Sequence, residues 1–142
     1  MFKNKKVLVT GGTGMVGREL VQLLHDRGAI IKVVSLDKPL DFTEDVEFIK
    51  KDLTNYNNCV EVCKGMDYAF HVAGVKGSTK MSVTQPLDYF IPMIRFNTNM
   101  MEASFRAGVE WYLYTSSVGV YKPAEVLKED DVWSTFPSPN DR

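Results

Sequence analysis

The spacing of glycines near the N-terminus restricts the possible folds more than any other feature of the sequence. Residues 10–17 read TGGTGMVG and follow directly after the apolar run Val7-Leu8-Val9. Beyond this turn, apolar residues recur at helical spacing as far as Leu24, and Gly28 follows as a helix stop. A buried strand, a tight glycine turn and an amphipathic helix, in this order, predict the first half of a βαβ unit.

The rest of the sequence continues this alternation of strands and helices. Apolar runs rich in β-branched residues predict further strands at residues 29–36, 46–49, 66–72 and 109–115. One helix is predicted after Thr54, a possible cap, and ends at Gly65; another covers residues 87–107, where Pro92 implies a kink or a later start. The pattern predicts an α/β protein: a doubly wound, Rossmann-type parallel sheet of about five strands with helices on both faces.

Each glycine of the turn has a physical task if a pyrophosphate binds there. Gly11 lets the chain leave the strand tightly, Gly14 lets backbone N–H groups approach the phosphates, and Gly17 lets the helix pack closely on the sheet. The helix N-terminus adds unpaired N–H groups and partial positive charge. Asp37 ends the next strand about 20 residues after Gly17, where a carboxylate can bind the adenosine ribose. The sequence predicts a dinucleotide site that prefers NAD to NADP, because Asp37 would repel a 2′-phosphate.

Charge and composition exclude several other classes of function. The net charge of −1 gives no basic field for nucleic acid or a membrane surface, and no apolar run reaches the ~20 residues that a bilayer requires. Cys59 and Cys63 lack a further Cys or His to complete a metal site, so we expect structural thiols, no metal and a cytoplasmic protein. Arg18 and Lys38, two cations near the turn, weaken the preference for NAD without reversing it.

Four segments, taken in order, resemble those of the extended short-chain dehydrogenase/reductases, the NAD-dependent epimerase/dehydratase family that acts on nucleotide sugars. The first is the Thr-Gly-x-x-Gly-x-x-Gly spacing of the turn. The others are KDL at residues 51–53, FHVAG at residues 70–74 and YLYTSSVGVY at residues 112–121. They resemble the family's strand-three end, its His-x-Ala-Ala segment and its YxSSxxVYG segment, so the resemblance covers the chain from Lys5 to about Tyr121.

The resemblance implies roles for individual residues. Asp52 would meet the adenine, the backbone of residues 72–74 would line the cofactor, and that of residues 115–116 would lie near the nicotinamide. As the catalytic residue, Ser117 would hydrogen-bond the reacting sugar oxygen through its hydroxyl. The residues expected to bind the cofactor are Gly11, Thr13, Gly14, Met15, Val16, Gly17, Asp37, Asp52, Leu53, Val72, Ala73, Gly74, Thr115 and Ser116.

Departures from the family pattern narrow the chemistry that the resemblance implies. Family dehydratases carry an Asp-Glu pair where this chain has Val118 and Gly119, so dehydration is not expected. GDP-fucose synthases, which residues 73–123 also resemble, carry a Cys in place of Gly119, so their double epimerisation is not expected either. The Asn usual in the helix before the fifth strand is replaced by Met93, and Asn97, one turn later, is assigned no role.

The family base is a Tyr-x-x-x-Lys pair, in which the lysine lowers the pKa of the tyrosine. None of the 6 tyrosines is followed four residues later by a lysine. The resemblance places this pair a couple of dozen residues past Ser117, close to residue 142. We therefore expect an NAD(P)-binding domain over residues 1–121, the N-terminal portion of a family member. Residues 122–142 are then an irregular tail leading toward a base, final strands and a substrate region outside the sequence. His25 and His71 are expected to be structural.

Two functional hypotheses follow. In the first, the chain is the NAD(P)-binding portion of an epimerase or reductase that acts by hydride transfer, with a nucleotide-sugar substrate in the full-length relative. In the second, it is a non-enzymatic NAD(P)-binding or sensing protein that lacks the catalytic base. Without the final strands, a sheet edge and an apolar face would lie uncovered, so we expect a homo-oligomer, or stabilisation by the chain outside this sequence.

Overall fold

Within the residues that the structure describes, five parallel strands form the centre of the protein. The structure is a computed structural model that describes residues 1–75, 77, 83–117, 120–122 and 124–134. The strands are β1 (Lys6–Thr10), β2 (Ile30–Ser35), β3 (Glu47–Lys50), β4 (Tyr68–His71) and β5 (Trp111–Tyr114). They lie in the order β3-β2-β1-β4-β5, and every pair is parallel. The predicted parallel sheet is thus confirmed, with strand ends shifted by one or two residues.

Three α-helices cover the two faces of the sheet within the described ranges. They are α1 (Met15–His25), α2 (Tyr56–Cys63) and α3 (Pro86–Arg106). One buried cluster joins α1 to one face of the sheet through Val7, Val9, Val21, Leu24, Ile31 and Val33. The other joins α2 and α3 to the opposite face through Leu8, Val34, Cys59, Val62, Ala69, Phe96 and Met100. Helices therefore lie on both faces, as the alternating pattern predicted.

Glycine ends the first helix, as predicted. α1 stops at His25, and Gly28 adopts a left-handed conformation with φ of +75°. The backbone N–H of Gly28 donates to the carbonyl of His25 at 2.8 Å, and that of Ala29 donates to Leu24 at 3.1 Å. These bonds satisfy carbonyls at the end of α1 and direct the chain into β2.

The predicted cap of α2 is wrong by one residue. Asn55, not Thr54, is the N-cap, and its side chain accepts from the N–H of Asn57 at 3.0 Å. Thr54 instead donates both its N–H and its hydroxyl to Asp52 Oδ1, each at 2.8 Å. Because the Thr54 hydroxyl is bonded to Asp52 in the turn before the helix, it does not cap α2, and Asn55 occupies the N-cap position.

The longest helix lies within one residue of its predicted range, 87–107, at both ends. α3 begins at Pro86 and passes through Pro92, so a start beyond that proline is wrong. Proline is well tolerated in the first turn of a helix, where Pro86 stands, and the buried residues of α3 all lie beyond Pro92. The tail contains a 3₁₀ helix, Glu129–Ser134, that was not predicted. Val118, Gly119 and the remainder of the tail at residues 135–142 lie outside the described residues.

The position of β1 determines where a ligand can enter. Its sequence successor β2 lies on one side, whereas β4 lies on the other. The chain therefore runs from β1 toward one edge of the sheet and from β4 toward the other edge. The two connections diverge and leave a crevice at the carboxyl end of β1. In open α/β sheets, ligands bind at such a point.

Candidate functional site

A cleft of about 520 Å³ opens at the carboxyl ends of β1, β2 and β4. Its volume falls within the range of typical small-molecule pockets, roughly 300–1,000 Å³. Most of the residues predicted to bind the cofactor line this cleft: Gly11, Thr13, Gly14, Met15, Asp37, Asp52, Leu53, Val72, Ala73 and Gly74.

Four predicted residues lie outside the lining of the cleft. Gly17 is buried in the first turn of α1, and Val16 beside it is 59% exposed. Thr115 and Ser116 follow the end of β5 and are exposed. The N–H of Thr115 donates to the carbonyl of His71 at 3.3 Å, which ties this segment to the end of β4.

The glycine turn owes its shape to close backbone contacts. Gly11 has φ of +70°, and a Cβ there would lie 2.6 Å from the Cα of Ala73. A Cβ on Gly17 would lie 2.2 Å from the carbonyl oxygen of Gly11, so Gly17 lets the helix pack closely on the turn, where the sequence predicted close packing on the sheet. Gly12, which sequence reasoning missed, has equally little room, because a Cβ would lie 2.7 Å from a methyl group of Val33. Only glycine fits at these three positions.

The first turn of α1 faces the cleft with its N–H groups uncapped by a side chain. The N-cap is Gly14, which is extended and makes no side-chain hydrogen bond. Its own N–H donates to the carbonyl of Gly11 at 2.9 Å, which closes the turn. An uncapped helix N-terminus carries unpaired N–H donors and partial positive charge, the features that bind phosphate groups.

Asp37 lies at the same end of the cleft, directly after β2. The Thr13 hydroxyl donates to Asp37 Oδ2 at 3.1 Å, and it lies 2.7 Å from the hydroxyl of Ser35. The predicted acid and the glycine turn are therefore in direct contact. Ser35 also lines the cleft but was missed, because a serine at a strand end carries no spacing signal of its own.

The opposite wall is built from the end of β3 and from α3. Lys51 lines the cleft beside Asp52, and its ammonium pairs with Glu61 of α2, which holds the pKa of that carboxyl below its usual range. Pro92 and Phe96 of α3 add an apolar surface. The sequence did not predict that these two residues line the cleft. Helical spacing indicates only that Phe96 is a core residue.

His71 is the hub of a buried polar network below the cleft. It is fully buried at the end of β4, and burial lowers the pKa of its imidazole to about 4, so the ring is neutral near pH 7. Nδ1 lies 2.6 Å from the Thr10 hydroxyl, and Nε2 lies 2.8 Å from Asn97 Oδ1. The Asn97 amide in turn donates to the Tyr114 hydroxyl at 3.1 Å. These buried contacts support the structural role expected for His71, which stays a prediction, and they include Asn97, to which the sequence assigned no role.

The predicted catalytic residue, Ser117, lies beyond the end of β5 and outside the cleft lining. It is exposed, and its carbonyl accepts from the N–H of Val120 at 3.2 Å. Among the described residues, no group of three or more His, Cys, Asp or Glu side chains could hold a metal ion. No helix in the same ranges is long and apolar enough to cross a bilayer.

Comparisons with known proteins agree with this architecture. A model of the NAD dependent epimerase/dehydratase family matches residues 7–141. The 3 beta-hydroxysteroid dehydrogenase/Delta 5-->4-isomerase of Mycobacterium tuberculosis is 33% identical over 121 residues, covering 81% of this chain and 32% of that protein. GDP-L-fucose synthase of Azorhizobium caulinodans is 34% identical over 137 residues, covering 93% of this chain and 40% of the synthase.

The solved structures extend the comparison to the fold. MoeE5 in complex with UDP-glucose and NAD superposes with a TM-score of 0.79 at 35% identity, covering 94% of this chain and 42% of MoeE5. The chain therefore spans about a third to two fifths of the length of the proteins it matches. Since the family model matches nearly all of its residues, the chain belongs to the NAD dependent epimerase/dehydratase family.

Proposed function

We propose that this chain is the cofactor-binding part of a nucleotide-sugar epimerase or reductase and that it prefers NAD to NADP. The observation that carries the proposal is the contact of the glycine turn with Asp37 through Thr13, at the mouth of a cleft of about 520 Å³. This contact brings a phosphate-binding helix terminus and a ribose-binding carboxylate to one end of the same cleft.

Each part of the cleft would make its own contribution to binding. The N–H groups at the start of α1 would bind the pyrophosphate, and Gly11 and Gly14 leave the turn without side chains that would obstruct it. Asp37 would accept hydrogen bonds from the adenosine ribose hydroxyls. Asp52 and Leu53, on the opposite wall, would contact the adenine. The charge of the Asp37 carboxylate would strengthen its hydrogen bonds to the ribose.

The segment after β5 would serve the reacting end of the cofactor. When bound, NAD supplies a hydride acceptor that can later return the hydride. Thr115 and Ser116 would contribute backbone contacts near the nicotinamide, and Ser117 would hold the reacting oxygen of the substrate through its hydroxyl. The exposure of residues 115–117 supports this assignment, because a substrate must reach them from solvent.

The relatives differ in the substrates that their names state. One is a steroid dehydrogenase, whereas another is a GDP-L-fucose synthase, and MoeE5 was solved with UDP-glucose. MoeE5 and the synthase match 94% and 93% of this chain, whereas the steroid enzyme matches 81%. Coverage alone does not decide between these classes, because a UDP-glucose 4-epimerase matches 72% of this chain and a second steroid dehydrogenase matches 89%. The 35% identity to MoeE5, solved with UDP-glucose, supports the nucleotide sugar that we propose as the substrate class.

Calorimetric titration of the chain with NAD and NADP tests the cofactor assignment. We expect NAD to bind more tightly than NADP. Asp37→Asn should weaken NAD binding about tenfold, the loss of roughly 1.4 kcal/mol expected for a hydrogen bond to a charged group. Asp41→Asn removes the same charge from an exposed position outside the cleft lining and should leave both affinities unchanged. Absence of heat with either cofactor at millimolar concentration would overturn the proposal.

A non-enzymatic NAD(P)-binding or sensing protein is the alternative to the enzyme. None of the 6 tyrosines in the sequence has a lysine four residues later. Reading the coding DNA past the codon for Arg142 separates the two candidates. A Tyr-x-x-x-Lys sequence within the following codons supports the enzyme, whereas a stop codon directly after Arg142 supports the sensor.

A further inference from the structure

Three side chains at the mouth of the cleft form a closed ring of hydrogen bonds. The N–H of Asp37 donates to Ser35 Oγ at 3.3 Å, Ser35 Oγ lies 2.7 Å from Thr13 Oγ1, and Thr13 Oγ1 donates to Asp37 Oδ2 at 3.1 Å. The ring spans the glycine turn and the end of β2, which are 22 residues apart at Thr13 and Ser35.

The two groups that Asp37 contributes, its carboxylate and its backbone N–H, determine the direction of every hydrogen bond in the ring. An ionised carboxylate only accepts and a backbone N–H only donates, so Thr13 must give its single hydroxyl proton to Asp37. Thr13 Oγ1 is then left to accept, and Ser35 must donate its proton to it. Ser35 Oγ in turn accepts from the N–H of Asp37. All the hydroxyl protons of Thr13 and Ser35 are therefore committed within the ring.

We propose that Thr13 and Ser35 are specificity-determining positioning residues, which hold the Asp37 carboxylate where it selects a free 2′-hydroxyl over a 2′-phosphate. This inference rests on the proposed function of the cleft. Thr13 acts through Asp37, since its hydroxyl proton is already used. Thr13 contacts the carboxylate directly, whereas Ser35 contacts the Thr13 hydroxyl and the backbone N–H of Asp37. A carboxylate held in one orientation in this way binds a ribose diol without first losing rotational freedom, and it keeps its negative charge close to the 2′ position.

The ring has little to contribute to the fold. All three residues are only half-buried and line the cleft, so water can replace their hydrogen bonds in part. The sheet at this point is already held by the parallel pairing of β1 with β2, which extends to Thr10 and Val34. The consequence of breaking the ring should therefore be found in cofactor selection and not in stability.

Thr13→Val replaces the hydroxyl with a methyl group of similar size and tests the inference. We expect the ratio of the NADP and NAD dissociation constants to fall about fivefold to tenfold, while the urea midpoint changes little. Thr13→Ser keeps the hydroxyl and should restore the ratio. Ser35→Ala should lower the ratio in the same direction, since it removes the donor to Thr13 and the acceptor for Asp37.

Thr54→Val is the matched control. Thr54 lines the same cleft and also donates its hydroxyl to an aspartate, Asp52, at 2.8 Å. Because Asp52 is assigned to the adenine, which both cofactors share, this substitution should weaken NAD and NADP equally and leave their ratio unchanged. A ratio that falls as far in Thr54→Val as in Thr13→Val would overturn the inference.

A double substitution separates this inference from the proposed function. In an Asp37→Asn background, Thr13→Val should cause no further change in the ratio, because the residue through which it acts is already lost. If Asp37→Asn leaves the ratio unchanged, the proposed cofactor preference fails. If Asp37→Asn lowers the ratio but Thr13→Val does not, only the positioning role fails.

Discussion

The imidazole Nε2 of His71 lies 2.8 Å from Oδ1 of Asn97, and this contact joins the last residue of β4 to the middle of α3. Because the neutral imidazole gives its Nε2 proton to Asn97, its Nδ1 accepts from the Thr10 hydroxyl at 2.6 Å. The amide nitrogen of Asn97 in turn donates a hydrogen bond to the hydroxyl of Tyr114. Side chains of four elements, β1, β4, α3 and β5, are thus connected by consecutive hydrogen bonds.

Asn97→Leu should destabilise the protein because it leaves the Nε2–H of His71 buried without an acceptor. We expect a loss of about 1–3 kcal/mol in the free energy of unfolding, measured by urea denaturation. Thr98→Ala is the control on the same helix, since among the described residues the Thr98 hydroxyl donates only to the carbonyls of Ile94 and Arg95, within α3 itself. An equal loss in both variants would contradict the role assigned to Asn97.

Stability should depend on pH through His71. Burial lowers the pKa of this imidazole to about 4, against 6.5 for an ordinary histidine, and the Asn97 hydrogen bond offsets the effect only in part. Between these values the unfolded chain binds a proton that the folded chain does not. The corresponding stability is fully present above pH 6.5 and is lost as the pH falls toward 4, with an upper value of roughly 3 kcal/mol.

Urea denaturation at pH 7 and pH 4.5 measures this dependence. His71→Gln removes the titrating group, so its free energy of unfolding should fall less between the two pH values than that of the original chain. His25→Gln is the control, because His25 is partly exposed and lies outside the network. An unchanged pH dependence in His71→Gln would show that other groups account for it.

Gly17→Ala should disrupt the glycine turn. The added methyl group would lie 2.2 Å from the carbonyl oxygen of Gly11, and backbone atoms cannot move away as a flexible side chain can. We expect a loss of about 3 kcal/mol or more in the free energy of unfolding, together with loss of NAD binding.

Gly65→Ala provides the comparison for this prediction. Gly65 has φ of +69° but no atom within 4 Å of an added Cβ, so only the backbone conformation is strained. The expected cost is about 1 kcal/mol, and NAD binding should persist. Equal costs at Gly17 and Gly65 would mean that contact with the turn is not what excludes a side chain at Gly17.

An exposed apolar stripe on α3 should cause self-association. Phe105 is 85% exposed, Met101 lies one turn before it, and Leu87, Phe90 and Ile94 continue the same face of the helix. Phe105→Glu should shift the chain toward a monomer in sedimentation velocity experiments. Asn57→Glu adds the same charge on α2 and should leave the distribution unchanged. A monomeric original chain would contradict the expected homo-oligomer.

Features set by neighbouring residues could be predicted from the sequence. The helix stops at Gly28 and Gly65 follow from left-handed glycines, with φ of +75° and +69°, and need no knowledge of the rest of the fold. The alternation of apolar runs was sufficient to predict the parallel sheet. The cap of α2 was not, because Thr54 and Asn55 are both good caps, and only the turn at Asp52 decides between them.

Contacts between distant side chains could not be predicted in this way. His71 and Asn97 are 26 residues apart, and Thr13 and Ser35 are 22 residues apart. Both pairs depend on the placement of whole elements and on side-chain rotamers, neither of which leaves a periodic signal in the sequence. The ring at Asp37 and the network at His71 are therefore visible only in the three-dimensional structure.

The close approach of Gly11 to Ala73 also bears on the order in which the protein folds. β1 pairs with β4 across a separation of 61 residues at Thr10 and His71. Such long-range parallel pairing forms slowly, because the entropy of closing a large loop is lost before the stabilising contacts form. During synthesis, a nascent chain that ends before Ala73 already contains the glycine turn, Asp37 and the end of β3, yet it lacks Ala73, Gly74 and α3, which complete the lining of the cleft. Binding of the proposed cofactor would therefore report a late step of folding, in which the central strands have already paired.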